Sequence, residues 1–138
     1  KRYHADLGRT FCVGKPPKRV AEVMEKAARC LEVIKEKIKP GTPLIEVQRV
    51  SEEYYRSFGI TPWYAGGYTL GIGFEPSWVG VYFHEAKDYR FVPGVVTNFD
   101  HCFVFKEESI GTCVIDTLVM TEKGIESLSK IQRDIIIV

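Results

Sequence analysis

No CxxC pair occurs among the four cysteines, Cys12, Cys30, Cys102 and Cys113, which excludes a zinc ribbon and a thioredoxin-type motif. No apolar run approaches the roughly 18 residues that a membrane helix needs, and no signal-peptide pattern opens the sequence. Charge of one sign is not in excess: 19 basic residues stand against 18 acidic ones, a net charge of +1. Nucleic-acid binders and polybasic membrane binders concentrate positive charge, so neither nucleic acid nor membrane is expected as a partner. Internal repeats and low-complexity tracts are absent. With 138 residues, 45% of them hydrophobic, the chain can bury a core without disulfide staples. Its cysteines therefore read as reduced, buried thiols of a cytoplasmic protein. The first residue is Lys1 and the opening already has a strand's pattern, so we expect part of a longer protein.

Residues 3–13 read as a strand, stopped by Gly14, Pro16 and Pro17. Over residues 18–39, Val20, Val23, Met24, Ala27, Leu31, Ile34 and Ile38 recur at three- and four-residue steps, one buried helix face. Pro40 and Gly41 end it. Thr42 and Pro43 suit the cap and first position of a second helix over 43–58, with Leu44, Val47, Val50, Tyr54 and Phe58 as its buried stripe. The pattern then changes to period two. Residues 68–74 are Gly-rich and strand-like, 75–91 irregular and aromatic, 95–105 a strong strand, 106–108 a turn and 109–120 the antiparallel mate. Residues 121–124 form another turn, and 125–128 a short strand or helical turn. Helices followed by strands predict an α+β fold with a helix layer on one face of a curved sheet.

Several side chains could carry chemistry. Asp6 and His4 share a strand face. Asp100 interrupts the apolar strand of Phe99, Phe103, Val104 and Phe105, where a carboxylate needs a partner or a pocket. His101 points to the opposite face and reads as structural. His84, beside Glu85, has acid–base capacity, and Arg9 can pair with a carboxylate or hold a substrate. Trp63, Tyr64, Phe74, Trp78, Tyr82, Phe83 and Tyr89 crowd the irregular segment as a pocket wall, a subunit contact or core. Gly66, Gly67, Gly71 and Gly73 precede no Lys-Ser/Thr and no helix, which excludes a phosphate loop.

Five strings in this order resemble one family: Tyr3-His-Ala-Asp-Leu-Gly-Arg-Thr-Phe-Cys-Val-Gly14, Ile38-Lys-Pro-Gly41, Gly67-Tyr-Thr-Leu-Gly-Ile-Gly73, Pro93-Gly-Val-Val96 and Asp116-Thr-Leu-Val-Met-Thr-Glu-Lys-Gly124. It is the pita-bread superfamily (peptidase family M24) of methionine aminopeptidases, Xaa-Pro dipeptidases, creatinases and ectoine hydrolases. The resemblance implies a pita-bread fold, with residues 1–138 as the C-terminal part of a catalytic domain, incomplete at the N-terminus. In peptidase members two metals are held by two Asp, one His and two Glu. Carried over, Asp6 matches an Asp ligand, Tyr68 replaces the His, Asp100 stands for one Glu and Ile115 for the other. Isoleucine cannot bind metal, and a tyrosine does so only as phenolate, with a free pKa near 10. No metal or other cofactor is therefore expected. Tyr68, with Pro76 and Trp78 after it, resembles the creatinase and ectoine-hydrolase branch.

The resemblance implies a hydrolase of a C–N bond in a small molecule or dipeptide, working without the dinuclear metal. Its expected catalytic residues are Asp6, Asp100 and His84, and its substrate-binding residues Tyr68, Ile115 and Arg9. Two alternatives stand beside it: an inactive pita-bread domain that binds peptides or proteins, and a metal-dependent Xaa-Pro dipeptidase with a reshaped site. A homodimer is the expected assembly.

Overall fold

Val20, Val23, Met24, Ala27, Cys30, Leu31 and Ile34 become the buried face of the first helix, α1 (Lys18–Lys37). This computed structural model describes residues 2–73 and 77–138; Phe74 and Pro76, named above, lie outside them. The Ile38 amide still bonds back to Ile34, and Gly41, at φ +90°, turns the chain. Thr42 is not the cap of the next helix. Its hydroxyl accepts from the Lys39 amide at 3.1 Å and closes the interhelical turn, so α2 begins later and runs Ile45–Arg56. Its buried face is Val47, Val50, Ser51 and Tyr55. Tyr55, not Tyr54, points inward, and Phe58 lies half exposed past the helix end, beneath the Lys26 ammonium.

The main sheet is antiparallel. Its strands are β2 (Tyr64–Gly66), β3 (Thr69–Leu70), β4 (Val96–Phe105), β5 (Ile110–Thr121) and β6 (Gly124–Ser127). The order is β2-β4-β5-β6, with β3 also on β4. The β4–β5 ladder pairs ten residues, from Val96–Val119 to Phe105–Ile110. Ser109 belongs to the turn, at φ +54°, rather than to β5. Residues 3–13 make only a two-residue ladder, β1 (Phe11–Cys12), parallel to β7 (Ile136–Ile137). The segment divides its remaining pairing between two partners, Tyr3 bridging to Ile72 and Gly8 to Ile115.

Period-two alternation gives the sheet two unlike faces. Phe99, His101, Phe103, Phe105, Val114, Leu118 and Met120 are buried with the helix residues in one core. Within it the Tyr55 hydroxyl lies 2.7 Å from His101 Nδ1, and the Phe99 ring stacks on the imidazole at 3.7 Å. His101 is fully buried and its pKa is lowered to about 3 by that burial. His101 Nε2 has no partner, which a bare lone pair tolerates better than a buried N–H or a charge.

Candidate functional site

The other face of β4 and β5 carries the polar groups. Three cross-strand pairs follow in register: Asn98 with Thr117, Asp100 with Ile115, and Cys102 with Cys113. Asp6 arrives from the segment before β1 and is held at its backbone by a single hydroxyl. Thr117 Oγ1 accepts from the Asp6 amide at 2.7 Å and donates to the Asp6 carbonyl at 2.9 Å. The Asp6 carboxylate then takes two bonds on Oδ2, from the Tyr68 hydroxyl at 2.7 Å and from Asn98 Nδ2 at 3.3 Å.

Tyr68 is fixed from both ends. Its amide donates to Asn98 Oδ1 at 2.8 Å, and its hydroxyl accepts from Trp78 Nε1 at 3.4 Å. The glycine before it is required by contact: a Cβ on Gly67 would stand 2.2 Å from the Asn98 carbonyl oxygen. Burial first, and then the Asp6 carboxylate, raise the Tyr68 pKa, although the Trp78 bond works the other way. The phenol is a neutral donor across the physiological range.

Asp100 lies within electrostatic reach of Asp6 and Tyr68. Burial raises its pKa and repulsion from Asp6 adds to the rise, while a bond from the Cys102 thiol at 3.3 Å opposes it. Tyr64, pushed up to about 12 mainly by burial, also feels Asp100. Ile115, opposite Asp100, lies over Gly8; a Cβ there would stand 2.8 Å from Ile115 Cγ1. The cysteines are free, and only Cys30 is buried; the other three are half exposed because β1 and the polar face of β4 and β5 lie outside the helix-covered core. The neighbouring Cys102 lowers the Cys113 thiol, and burial opposes it. Two open clefts flank the cluster. One of about 370 Å³ runs beside Trp78 and Gly80; the other, about 490 Å³, lies over Cys102, Cys113 and Thr10.

Arg9 stands apart from the Asp6 oxygens. It donates to Asp116 Oδ1 at 2.7 Å, to the carbonyls of Gly8, Ile115, Ile131 and Gln132, and to Ser129 Oγ. Arg133 binds the other Asp116 oxygen. The Arg9 side chain is 4% exposed and that of Asp116 fully buried. Direct contact with a substrate would require Arg9 to leave these partners; as placed, it positions the Gly8–Ile115 bridge. His84 lies at the rim, half exposed, 3.7 Å from Glu85. Its ring leans on Tyr82, whose ring meets Tyr68 edge-on. Asp6, Tyr68, Asp100 and Ile115 thus come together, His84 is one aromatic ring removed, and His4 has Gly73 against its ring.

Sequence reasoning passed over Asn98, Thr117 and the Cys102–Cys113 pair. The signal was present: Asn98, Asp100 and Cys102 alternate with Phe99, His101 and Phe103, a polar stripe two residues apart.

The donor set does not fit a dinuclear metal centre. Ile115 offers carbon, Tyr68 keeps its proton, and Asp6 Oδ2 is already occupied by two donors. Among the described residues no group of three or more His, Cys, Asp or Glu side chains is arranged to hold a metal ion.

Known proteins match this chain along its length. It is 25% identical to the probable dipeptidase PepE of Mycobacterium tuberculosis, covering 99% of this chain and 36% of that protein. With the ectoine hydrolase of Halomonas elongata the identity is 24%, over 99% of this chain and 35% of the relative. Among solved structures, X-Pro aminopeptidase from Thermotoga maritima superposes with a TM-score of 0.85 at 23% identity, covering 99% of this chain and 38% of that one. The chain therefore spans little more than a third of the length of these relatives, and its fold is the α+β pita-bread fold they share. The profile of metallopeptidase family M24 matches residues 1–122, and the chain belongs to that family.

Proposed function

We propose that the protein containing residues 1–138, as the C-terminal part of its catalytic domain, hydrolyses a C–N bond in a small molecule or dipeptide without a dinuclear metal. The bond is an amide, an amidine or an Xaa-Pro peptide. The observation that carries this reading is the Tyr68 hydroxyl on Asp6 at 2.7 Å with Asp100 within electrostatic reach of both. Two carboxyls in unlike surroundings can divide acceptor and donor roles. Asp6, aligned by Asn98, Thr117 and Tyr68, accepts from a substrate cation or from the attacking water. Asp100, kept toward its protonated form, supplies a proton to the departing nitrogen. Tyr68 spends its one O–H on Asp6 and meets the substrate as an acceptor on its remaining lone pair, Ile115 provides an apolar wall, His84 moves protons at the rim, and Arg9 acts as a positioning residue.

The test is turnover of Xaa-Pro dipeptides, creatine-like compounds and ectoine derivatives by the full-length protein, with and without chelator. Activity that survives chelation and disappears in Asp100→Asn supports the reading. Activity that needs added Mn²⁺, or that ignores Asp100→Asn, contradicts it. A second reading, an inactive peptide-binding domain, is favoured by one observation: Asp6 Oδ2 already has its two donors. Ligand binding with no turnover of any compound would select it.

A further inference from the structure

The backbone decides how Cys102 and Cys113 face each other. In an antiparallel ladder, opposed residues alternate between pairs that exchange hydrogen bonds and pairs that do not, the latter with Cα atoms about 4.5 Å apart. The Cys113 amide donates to Thr10 Oγ1 at 3.1 Å, and its carbonyl accepts from the same hydroxyl at 3.0 Å. Both groups therefore point away from β4. Two residues on, Ile115 likewise exchanges both its bonds with Gly8. Cys102–Cys113 is thus a non-hydrogen-bonded pair, with its side chains on one face at the closest separation a sheet allows. That separation lies inside the range of about 4.4–6.8 Å that disulfides span. Both thiols are half exposed, and the 490 Å³ cleft that opens onto them is lined by both cysteines. Cys30, by contrast, is buried in the helix layer.

We propose that Cys102 and Cys113 are a thiol–disulfide exchange site, closed reversibly by a low-molecular-weight disulfide of the glutathione class. The Cys113 thiolate attacks one sulfur of the disulfide RSSR, and one RS⁻ leaves with the bonding pair. The Cys102 thiolate then attacks Cys113 Sγ and expels the second RS⁻. The two cysteine protons end on the two leaving thiols. In sum, two Cys–SH and RSSR give one cross-strand disulfide and two RSH; the cysteines lose two electrons and RSSR gains them. Closure removes the thiol hydrogen that Cys102 gives to Asp100 Oδ1, so the bridge reports on the carboxyl next to it.

The experiment equilibrates the full-length protein in buffers of reduced and oxidised glutathione, traps free thiols with an alkylating agent and maps the peptides by mass. Loss of the Cys102 and Cys113 thiols together, with one linked peptide lighter by two hydrogens and full recovery in dithiothreitol, is the expected result. Cys102→Ser should stop at a glutathione adduct on Cys113. A double variant, Cys12→Ser with Cys30→Ser, leaves the pair as the only cysteines of residues 1–138 and must still close. Glutathione adducts on both cysteines without the link, or a link through Cys12 or Cys30, would overturn the proposal. So would retention of both free thiols across the whole buffer series.

Discussion

His101→Gln separates a structural histidine from a chemical one. His101 is fully buried, holds Tyr55 through Nδ1 and has a pKa lowered to about 3. An unfolded histidine titrates near 6.5. Between those values the unfolded chain binds a proton that the folded chain refuses, so stability is fully present above about pH 6.5 and falls as the solution is acidified toward about pH 3. At about pH 4 the unfolded ring is charged and the folded one still neutral. That is about 2.5 pH units at about 1.4 kcal/mol each, or about 3.5 kcal/mol of stability lost relative to neutral pH. Glutamine keeps a hydrogen-bonding partner for Tyr55 and does not titrate. It should cost about 1–3 kcal/mol at neutral pH and should remove this acid-dependent loss. Asp100, whose pKa is raised, contributes with the opposite sign, adding stability as pH falls; it is common to both proteins and cancels in their difference. Urea unfolding followed by tryptophan fluorescence at about pH 7 and about pH 4 provides the comparison. Parallel pH dependences for the parent and His101→Gln would refute the reasoning.

Two further substitutions test how the site is braced. Gly8→Ala places a Cβ 2.8 Å from Ile115 Cγ1 and should destabilise by about 1–3 kcal/mol, yet cost clearly less in an Ile115→Ala background, where only the Ile115 Cβ contact at 3.1 Å remains; equal costs in both backgrounds, measured by urea unfolding, would mean that Ile115 does not lie over Gly8. Asp116→Ala removes the acid shared by Arg9 and Arg133 and should cost about 3–5 kcal/mol, because a buried guanidinium loses its counter-charge; a thermal midpoint within experimental error of the parent would contradict the burial assigned to this network.

The helices and the β4–β5 hairpin were legible because their signals are long. Seven apolar positions at helical spacing define α1, and ten residue pairs define the hairpin. The helix cap was not, because Thr42 serves the turn between helices through a bond to Lys39 that local preference does not reveal. Residues 3–13 have a strand's pattern, but a strand also needs a continuous neighbour, and this segment meets Ile72, Ile115 and β7 in succession. Tyr68 was named through family resemblance alone, whereas Asp6 and Asp100 were also singled out by the strand pattern. Asn98 and Thr117, which orient Asp6, were readable in principle as the polar stripe of β4 and β5. Arg9 was legible as a residue that pairs with a carboxylate, but not as the partner of Asp116, since that choice depends on how residues 129–133 fold back across the strand.

The central proposal is that Asp6, Tyr68 and Asp100 together bind a small cationic or amide-bearing ligand. Calorimetric titration of the full-length parent and its Asp100→Ala variant with dipeptides, creatine-like compounds and ectoine derivatives, in chelator throughout, tests it most directly. The account predicts that at least one compound binds the parent and that its affinity falls about tenfold in Asp100→Ala, the loss of one hydrogen-bonded contact of about 1.5 kcal/mol. Equal binding by both proteins, or binding that appears only when metal is restored, would contradict it.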